Sequence, residues 1–251
     1  MPRVVEVLLD LAIELELTND ELLGLAGFLT EVGRADEFML LSDVLGLSRV
    51  VDDQTHAGAT GTDSAVLGPF YRPDAPWLDN PGRLAAPAEP GQLLIVRGRI
   101  TDAASGAPLS GAVVDLWQSN TAGDYSNENA ALDPFNLRGR LRADRDGRYE
   151  VETVAPVPYQ VKHDGPVGRL LLALGRHAWR PAHLHYRVSA SGHWPLTTMA
   201  YFEGDPYLET DTINGVKPAL VLHLEPGPGG VSTATFDVAL APESDPARMP
   251  S

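Results

Sequence analysis

The chain has 251 residues, with 19 Lys and Arg against 34 Asp and Glu, a formal net charge of −15, and 43% of its residues are hydrophobic. That length and composition exclude a disordered chain and a small domain that needs disulfide staples. The excess of acid excludes a nucleic-acid surface, which needs clustered Lys and Arg. The absence of cysteine excludes an iron–sulfur cluster and a thiolate zinc site.

The first apolar stretch, Val4 to Leu17, is interrupted by Glu6, Asp10, Glu14 and Glu16. It is too short and too charged to span a bilayer, so a cytoplasmic protein without a membrane or nucleic-acid partner is expected. Residues 1–53 read as an N-terminal helical segment. Thr18 and Glu21 have capping-box spacing, in which the hydroxyl takes a free backbone N–H and the carboxylate reaches back. Leu22, Leu23, Ala26 and Leu29 follow at helical spacing, and Gly33 fits a stop. A third helix is predicted from about Asp36, with Leu40, Leu41, Val44, Leu47 and Val51 on one face. Three short helices cannot bury all these faces among themselves. The surplus is available either to the rest of the chain or to a second subunit.

Residues 54–91 are rich in Gly, Pro and Asp and read as an irregular segment that wraps the core and lines a pocket. Residues 92–241 alternate short apolar runs with turn signals: Leu93–Ile100, Ala112–Trp117, Arg148–Val154, His183–Val188, Leu196–Phe202, Ala219–Leu224 and Val231–Ala239. This pattern predicts a mainly β protein whose core is an antiparallel β-sandwich. Residues 242–251 read as a loose tail.

The densest chemistry lies in Gly175-Arg-His-Ala-Trp-Arg-Pro-Ala-His-Leu-His-Tyr186. Residues two apart on a strand face one side, so His183 and His185 project together and can grip one metal ion. The same spacing is equally that of two hydrogen-bonded histidines. Without cysteine, further ligands must come from Asp, Glu, Tyr or water. Tyr125 and Tyr159 both lie in turn-rich segments, but spacing does not single them out among the seven tyrosines.

The stretches EFMLLSDVLGLSRVVD (37–52), TDSAVLGPFY (62–71), GAVVDLWQSNTAGDYS (111–126), DGPVGRLL (164–171), GRHAWRPAHLHY (175–186) and EGDPYLETD (203–211) occur in one order. Together they resemble the intradiol ring-cleavage dioxygenases, the group of the catechol and hydroxyquinol 1,2-dioxygenases. The resemblance implies one Fe(3+) per subunit, held by two tyrosinates and two histidines at Tyr125, Tyr159, His183 and His185. Phenolate oxygens suit a hard ferric ion. It further implies that a small aromatic diol and O2 are the substrates and that the ring opens between the two hydroxylated carbons. Tyr159 then serves as ligand and base, and Arg180 stabilises negative charge on the ring.

Val66, Leu67, Gly68, Pro69, Phe70, Met199, Thr212 and Ile213 match substrate-facing positions of the family. The resemblance also implies a homodimer formed through the N-terminal helices, a bound lipid being one further occupant it allows. Met199 stands where the catechol branch usually has Gln, which points to altered support near the site and to a different native substrate. Gly215-Val-Lys217 and EFMLLSDVLGLS look more like the hydroxyquinol branch. The N-terminus is shorter than is usual for the group, so a clipped first helix is expected. Two other readings stay open: an intradiol enzyme for a bulky or biosynthetic catechol, and a non-catalytic β-sandwich binding domain.

Overall fold

The computed structural model of the protein describes residues 2–244, and two β-sheets packed face to face lie at its centre. One sheet contains β1 (Gly82–Arg83), β2 (Leu93–Asp102), β5 (Arg148–Val154), β11 (Glu225–Pro226), β12 (Ser232–Thr235) and β13 (Val238–Leu240). Its order is β1-β5-β2-β12-β11, with β13 also paired to β2. The other contains β3 (Val113–Trp117), β4 (Arg138–Arg142), β8 (His183–Ser189), β9 (Leu196–Phe202) and β10 (Val221–Leu222), in the order β10-β9-β8-β3-β4. A separate two-stranded ribbon pairs β6 (Tyr159–Gln160) with β7 (Trp179–Arg180). Leu94, Val96 and Ile100 from one sheet and Val114, Leu116, Leu184, Tyr186 and Val188 from the other fill the buried space between them, as facing pleated surfaces require.

The β-sandwich expected from the alternating runs is present, with one refinement. The pairs β2–β5, β3–β4, β3–β8 and β8–β9 are antiparallel, whereas β1–β5, β9–β10, β12–β2 and β13–β2 are parallel. The run Val231–Ala239 is two strands, because Phe236 and Asp237 leave the ladder to bond Arg97 and Arg99. Ala219–Leu224 begins instead as a short 3-10 turn, Pro218–Leu220. β4 was not anticipated, since Arg-Gly-Arg-Leu-Arg offers a single apolar residue to an alternation search.

Four N-terminal helices replace the three expected: α1 (Pro2–Glu14), α2 (Asn19–Arg34), α3 (Phe38–Val44) and α4 (Leu47–Thr55). The capping box at Thr18 and Glu21 is formed as predicted. The break between α3 and α4 falls at Gly46, whose φ of 78° lies in the left-handed region that glycine enters without steric cost. A further helix, α5 (Pro166–Ala173), starts with Pro166 in its first turn, where the missing N–H costs nothing.

The buried carboxylate of Glu37 accepts the Val167 N–H of α5 at 3.0 Å and pairs with Lys162 at 3.2 Å. A second core joins Val32, Leu41 and Val44 to Val161, Val167, Leu171 and Ile213. The inner helical faces therefore pack on the rest of the chain. The outer ones do not: Val4, Leu8, Leu9, Ile13, Leu22 and Leu23 are exposed. Of the expected loose tail, Pro242 bridges His193 and the Glu243 N–H donates to the Gly192 carbonyl at 3.0 Å, so the chain is held there; residues 245–251 lie outside the described residues. Among the described residues no helix is long and apolar enough to cross a membrane.

Candidate active site

Strand register assembles the site. On the central strand β8, His183 and His185 face one way. Tyr201 and Met199 of β9 stand opposite them in the ladder, with Trp117 of β3 across from His185 on the other side. In the β6–β7 ribbon Tyr159 is the register partner of Arg180. Tyr125 arrives from the turn after β3, where the Asn120 side chain accepts the N–H groups of Ala122 and Asp124, each at 2.9 Å. Such an Asx arrangement fixes a turn locally.

The polar atoms of these residues converge. His183 Nε2 lies 3.1 Å from His185 Nε2, and the Tyr125 hydroxyl lies 3.1 Å from the same His185 nitrogen. Arg180 Nη1 sits 3.2 Å from His183 Nε2 and 3.5 Å from the Tyr159 hydroxyl. Stacking orients the rings: Trp117 lies on His185 with centroids 4.7 Å apart and planes at 9°, and Phe70 lies on Tyr125 at 4.2 Å and 15°. All five side chains, Tyr125, Tyr159, Arg180, His183 and His185, are buried.

Burial sets the protonation states. His183 Nδ1 lies 2.8 Å from the Pro181 carbonyl, an arrangement that places the ring proton on Nδ1 and leaves Nε2 as a lone pair. Desolvation and the neighbouring Arg180 charge hold both imidazoles well below the usual histidine range, so both are neutral. Desolvation also pushes both phenols up, Tyr125 well above the ordinary tyrosine value, with Arg180 opposing the rise. Two neutral imidazole nitrogens and two buried phenols beside one another thus form a site that accepts a cation able to draw the phenols into their anionic form. His185 Nδ1 and Trp117 Nε1 have no hydrogen-bond partner among the described residues. Among the described residues no three His, Asp or Glu side chains cluster as a metal site; here two of the four donors are phenols.

Arg180 closes one side. Its Nε donates to Asp211 Oδ1 at 3.1 Å and Nη2 to the Tyr201 hydroxyl at 3.1 Å. Burial alone would lower its pKa, but Asp211 and the surrounding hydroxyls more than offset this and raise it. Asp211 and Tyr201 were not anticipated, because a lone Asp or Tyr carries no spacing signal. Their register and loop positions become meaningful only once the strands are paired.

A cleft of about 180 Å³ opens onto Tyr159 and Arg180. Of the expected substrate-facing residues, Gly68, Pro69, Phe70 and Ile213 line it, with Met39, Leu40 and Val161 completing the apolar walls. Four other expected residues do not line this cleft. Val66 and Leu67 instead line an adjoining cleft between α3, α4 and the irregular segment. Thr212 is buried outside the cleft, and its carbonyl accepts from Arg176 at 2.6 Å. Met199 is fully buried beside His185, its register partner, where its sulfur accepts from the Tyr201 hydroxyl at 3.1 Å. The cleft also contains an unforeseen carboxyl, Asp43 of α3, buried and pushed up by desolvation against the opposing bond from Ser48.

Comparison with known proteins is consistent across the chain. A sequence model described as "Dioxygenase" matches residues 66–242, and one described as "Catechol dioxygenase N terminus" matches residues 1–63. The chain is 40% identical to a chlorocatechol 1,2-dioxygenase from Rhodococcus opacus over 86% of this chain and 85% of that protein. It is 42% identical to a hydroxyquinol 1,2-dioxygenase from Rhizobium sp. (strain MTP-10005) over 83% and 72%. The crystal structure of hydroxyquinol 1,2-dioxygenase from Pseudomonas putida DLL-E4 superposes with a TM-score of 0.90 at 36% identity, covering 97% of this chain and 91% of that one.

Proposed function

The chain belongs to the intradiol ring-cleavage dioxygenase family, and from that premise we propose that it opens hydroxyquinol, or a catechol carrying a comparable hydrogen-bond donor, at a ferric ion held by Tyr125, Tyr159, His183 and His185. The observation that carries the reading is the convergence of these four donors with Arg180, of which Tyr159 and Arg180 line one cleft. When bound, a ferric ion supplies the Lewis acidity that ionises the phenols and the diol, and the electronic coupling through which the ring reacts with dioxygen.

The side chains do the rest. Phe70, Pro69, Leu40, Val161 and Ile213 take up the flat ring and exclude water. The Tyr159 oxygen, at the cleft wall, receives a proton from the diol as it binds. Arg180 Nη1, beside that oxygen, places fixed positive charge where negative charge develops on the ring. Asp43, set into the cleft wall, accepts a hydrogen bond from a third hydroxyl. Asp36, Glu37, Asp43 and Glu128 line the same cleft against Lys162, which pairs with Glu37, and this surplus of carboxyl groups disfavours a substrate bearing its own carboxylate. A bulkier catechol is the second reading, favoured by the adjoining cleft, which shares Met39, Asp43, Gly68 and Pro69 with the first. Two copies of the chain pair through α1 and the outer face of α2, whose exposed leucines and valines have no cover within one chain.

Oxygen uptake on hydroxyquinol, catechol, chlorocatechols and protocatechuate, with products identified, tests the assignment. Cleavage between the hydroxylated carbons, fastest on hydroxyquinol and slowest on protocatechuate, is expected from a red, iron-containing protein. A colourless, iron-free protein after iron-replete expression, or ring opening beside the diol, refutes it.

A further inference from the structure

Arg180 needs its direction set as well as its charge. A guanidinium has five N–H donors in a rigid plane, so anchoring one edge aims the other. Here the far edge is anchored: Nε and Nη2 face Asp211 Oδ1 and Oδ2 at 3.1 and 3.4 Å, and Nη2 donates to the Tyr201 hydroxyl at 3.1 Å. The near edge, Nη1, faces His183 and Tyr159. The anchors are themselves held. Asp211 Oδ2 accepts the Gly215 N–H at 2.9 Å, and the Tyr201 hydroxyl donates a hydrogen bond to Met199 Sδ at 3.1 Å. A Cβ at Gly215 would lie 3.0 Å from Asp211 Oδ2 and 3.1 Å from both Arg180 Nη2 and the Tyr201 hydroxyl, so a side chain there would press on this group by a few tenths of an ångström.

We infer that Tyr201, with Met199 as the acceptor that orients its hydroxyl, is a positioning residue that aims Arg180 at the reacting ring. This inference rests on the reading of Arg180 given above. It also changes the meaning of Met199. The residue does not line the cleft, and its sulfur also lies 3.7 Å from Arg180 Nη2, so its influence on the reaction runs through Tyr201 and Arg180. Tyr201 and Met199 lie two apart on β9, opposite His183 and His185. Strand pairing therefore ties the aim of the arginine to the position of both imidazoles. A tyrosine at this register supplies one acceptor for the arginine and one donor for the thioether, and phenylalanine supplies neither.

Tyr201→Phe removes a single buried oxygen and keeps the ring. In the iron-loaded enzyme it is expected to lower kcat about tenfold, the loss of one hydrogen bond to a charged group, while KM stays within about twofold. Iron content and the resting visible band should be unchanged. Met199→Leu should move kcat in the same direction by a smaller factor. In an Arg180→Gln background, Tyr201→Phe should cost nothing further, because its effect passes through the arginine. Unchanged kcat, or losses that multiply across the Arg180 and Tyr201 variants, would overturn the inference. A crystal structure of Tyr201→Phe supplies a readout independent of turnover: the guanidinium is expected to be rotated or split between conformers, and one superposing on the wild type refutes the inference. A wild type inactive on every catechol counts against the proposed reaction, while the crystal structure still decides the role of Tyr201.

Discussion

The sandwich and the N-terminal helices of this chain contrast in how far each completes its own interactions. Around the site the rings are stacked, Arg180 is bonded on both edges and both histidines are neutral and buried. On α1, by contrast, Val4, Val5, Val7, Leu8, Leu9, Leu11 and Ile13 are all exposed, Ile13 at 75%. One polypeptide therefore completes the contacts around these side chains, while the apolar residues of α1 stay exposed. Burying a row of aliphatic side chains at ~25 cal/mol per Å² is enough to drive association, whereas a site that must hold neutral imidazoles and ionisable phenols depends on fixed geometry within one fold.

The sharpest way to break the contrast is His183→Ala. It should abolish iron binding and lower turnover beyond the ~100-fold typical of perturbing a ligand's surroundings, while leaving the assembly size unchanged. Metal analysis and light scattering read the two halves separately. The converse is Leu9→Glu combined with Ile13→Glu, which should convert dimers to monomers by sedimentation at micromolar concentration and leave the visible band in place. Loss of the band together with the dimer would show that the two regions are not independent.

Asp43 lies at the join, since it belongs to a helix and faces the cleft. Asp43→Asn should lower the ratio of kcat/KM for hydroxyquinol over catechol by about tenfold, because a site built to accept a substrate hydroxyl discriminates through that bond. An unchanged ratio removes Asp43 from substrate selection. The smallest effect belongs to Thr18→Ala, which removes the cap of α2 and should destabilise the helices by ~1 kcal/mol. A small fall in melting temperature with unaltered kcat is expected.

Much of the architecture was legible before any coordinates. Period-two apolar runs announced β2, β5, β8 and β9, and the Thr18–Glu21 pair announced the start of α2. β4 was hidden because its inward-facing positions include Arg138, which is buried and donates to the Phe70 carbonyl and the Ser126 hydroxyl. α5 was hidden because eight residues carry too little periodicity to stand out, although Pro166 followed by leucines was a usable start signal. At the site, the H-x-H pair and the surrounding resemblance singled out Arg180, Tyr125 and Tyr159, all of which the structure brings together. Met199, Thr212, Val66 and Leu67 were placed in the cleft by that same resemblance and lie elsewhere. A residue's match to a position says nothing of which way its strand or loop turns it.

The sequence by itself determined the secondary elements and the chemistry available: imidazoles two apart on a strand, phenols in turns, no thiolate, and helices with more apolar surface than they can hide. These are local properties, set by side-chain type and by spacing along a chain of known periodicity. Only the tertiary structure decided which groups meet. The register of β8 against β9 put Tyr201 and Met199 beside the histidines, the β6–β7 ribbon put Tyr159 beside Arg180, and the fold of the 211–215 loop brought Asp211 to the arginine's far edge. Register and loop closure are contacts between residues far apart in sequence, selected by the packing of the whole core, and no local pattern encodes them.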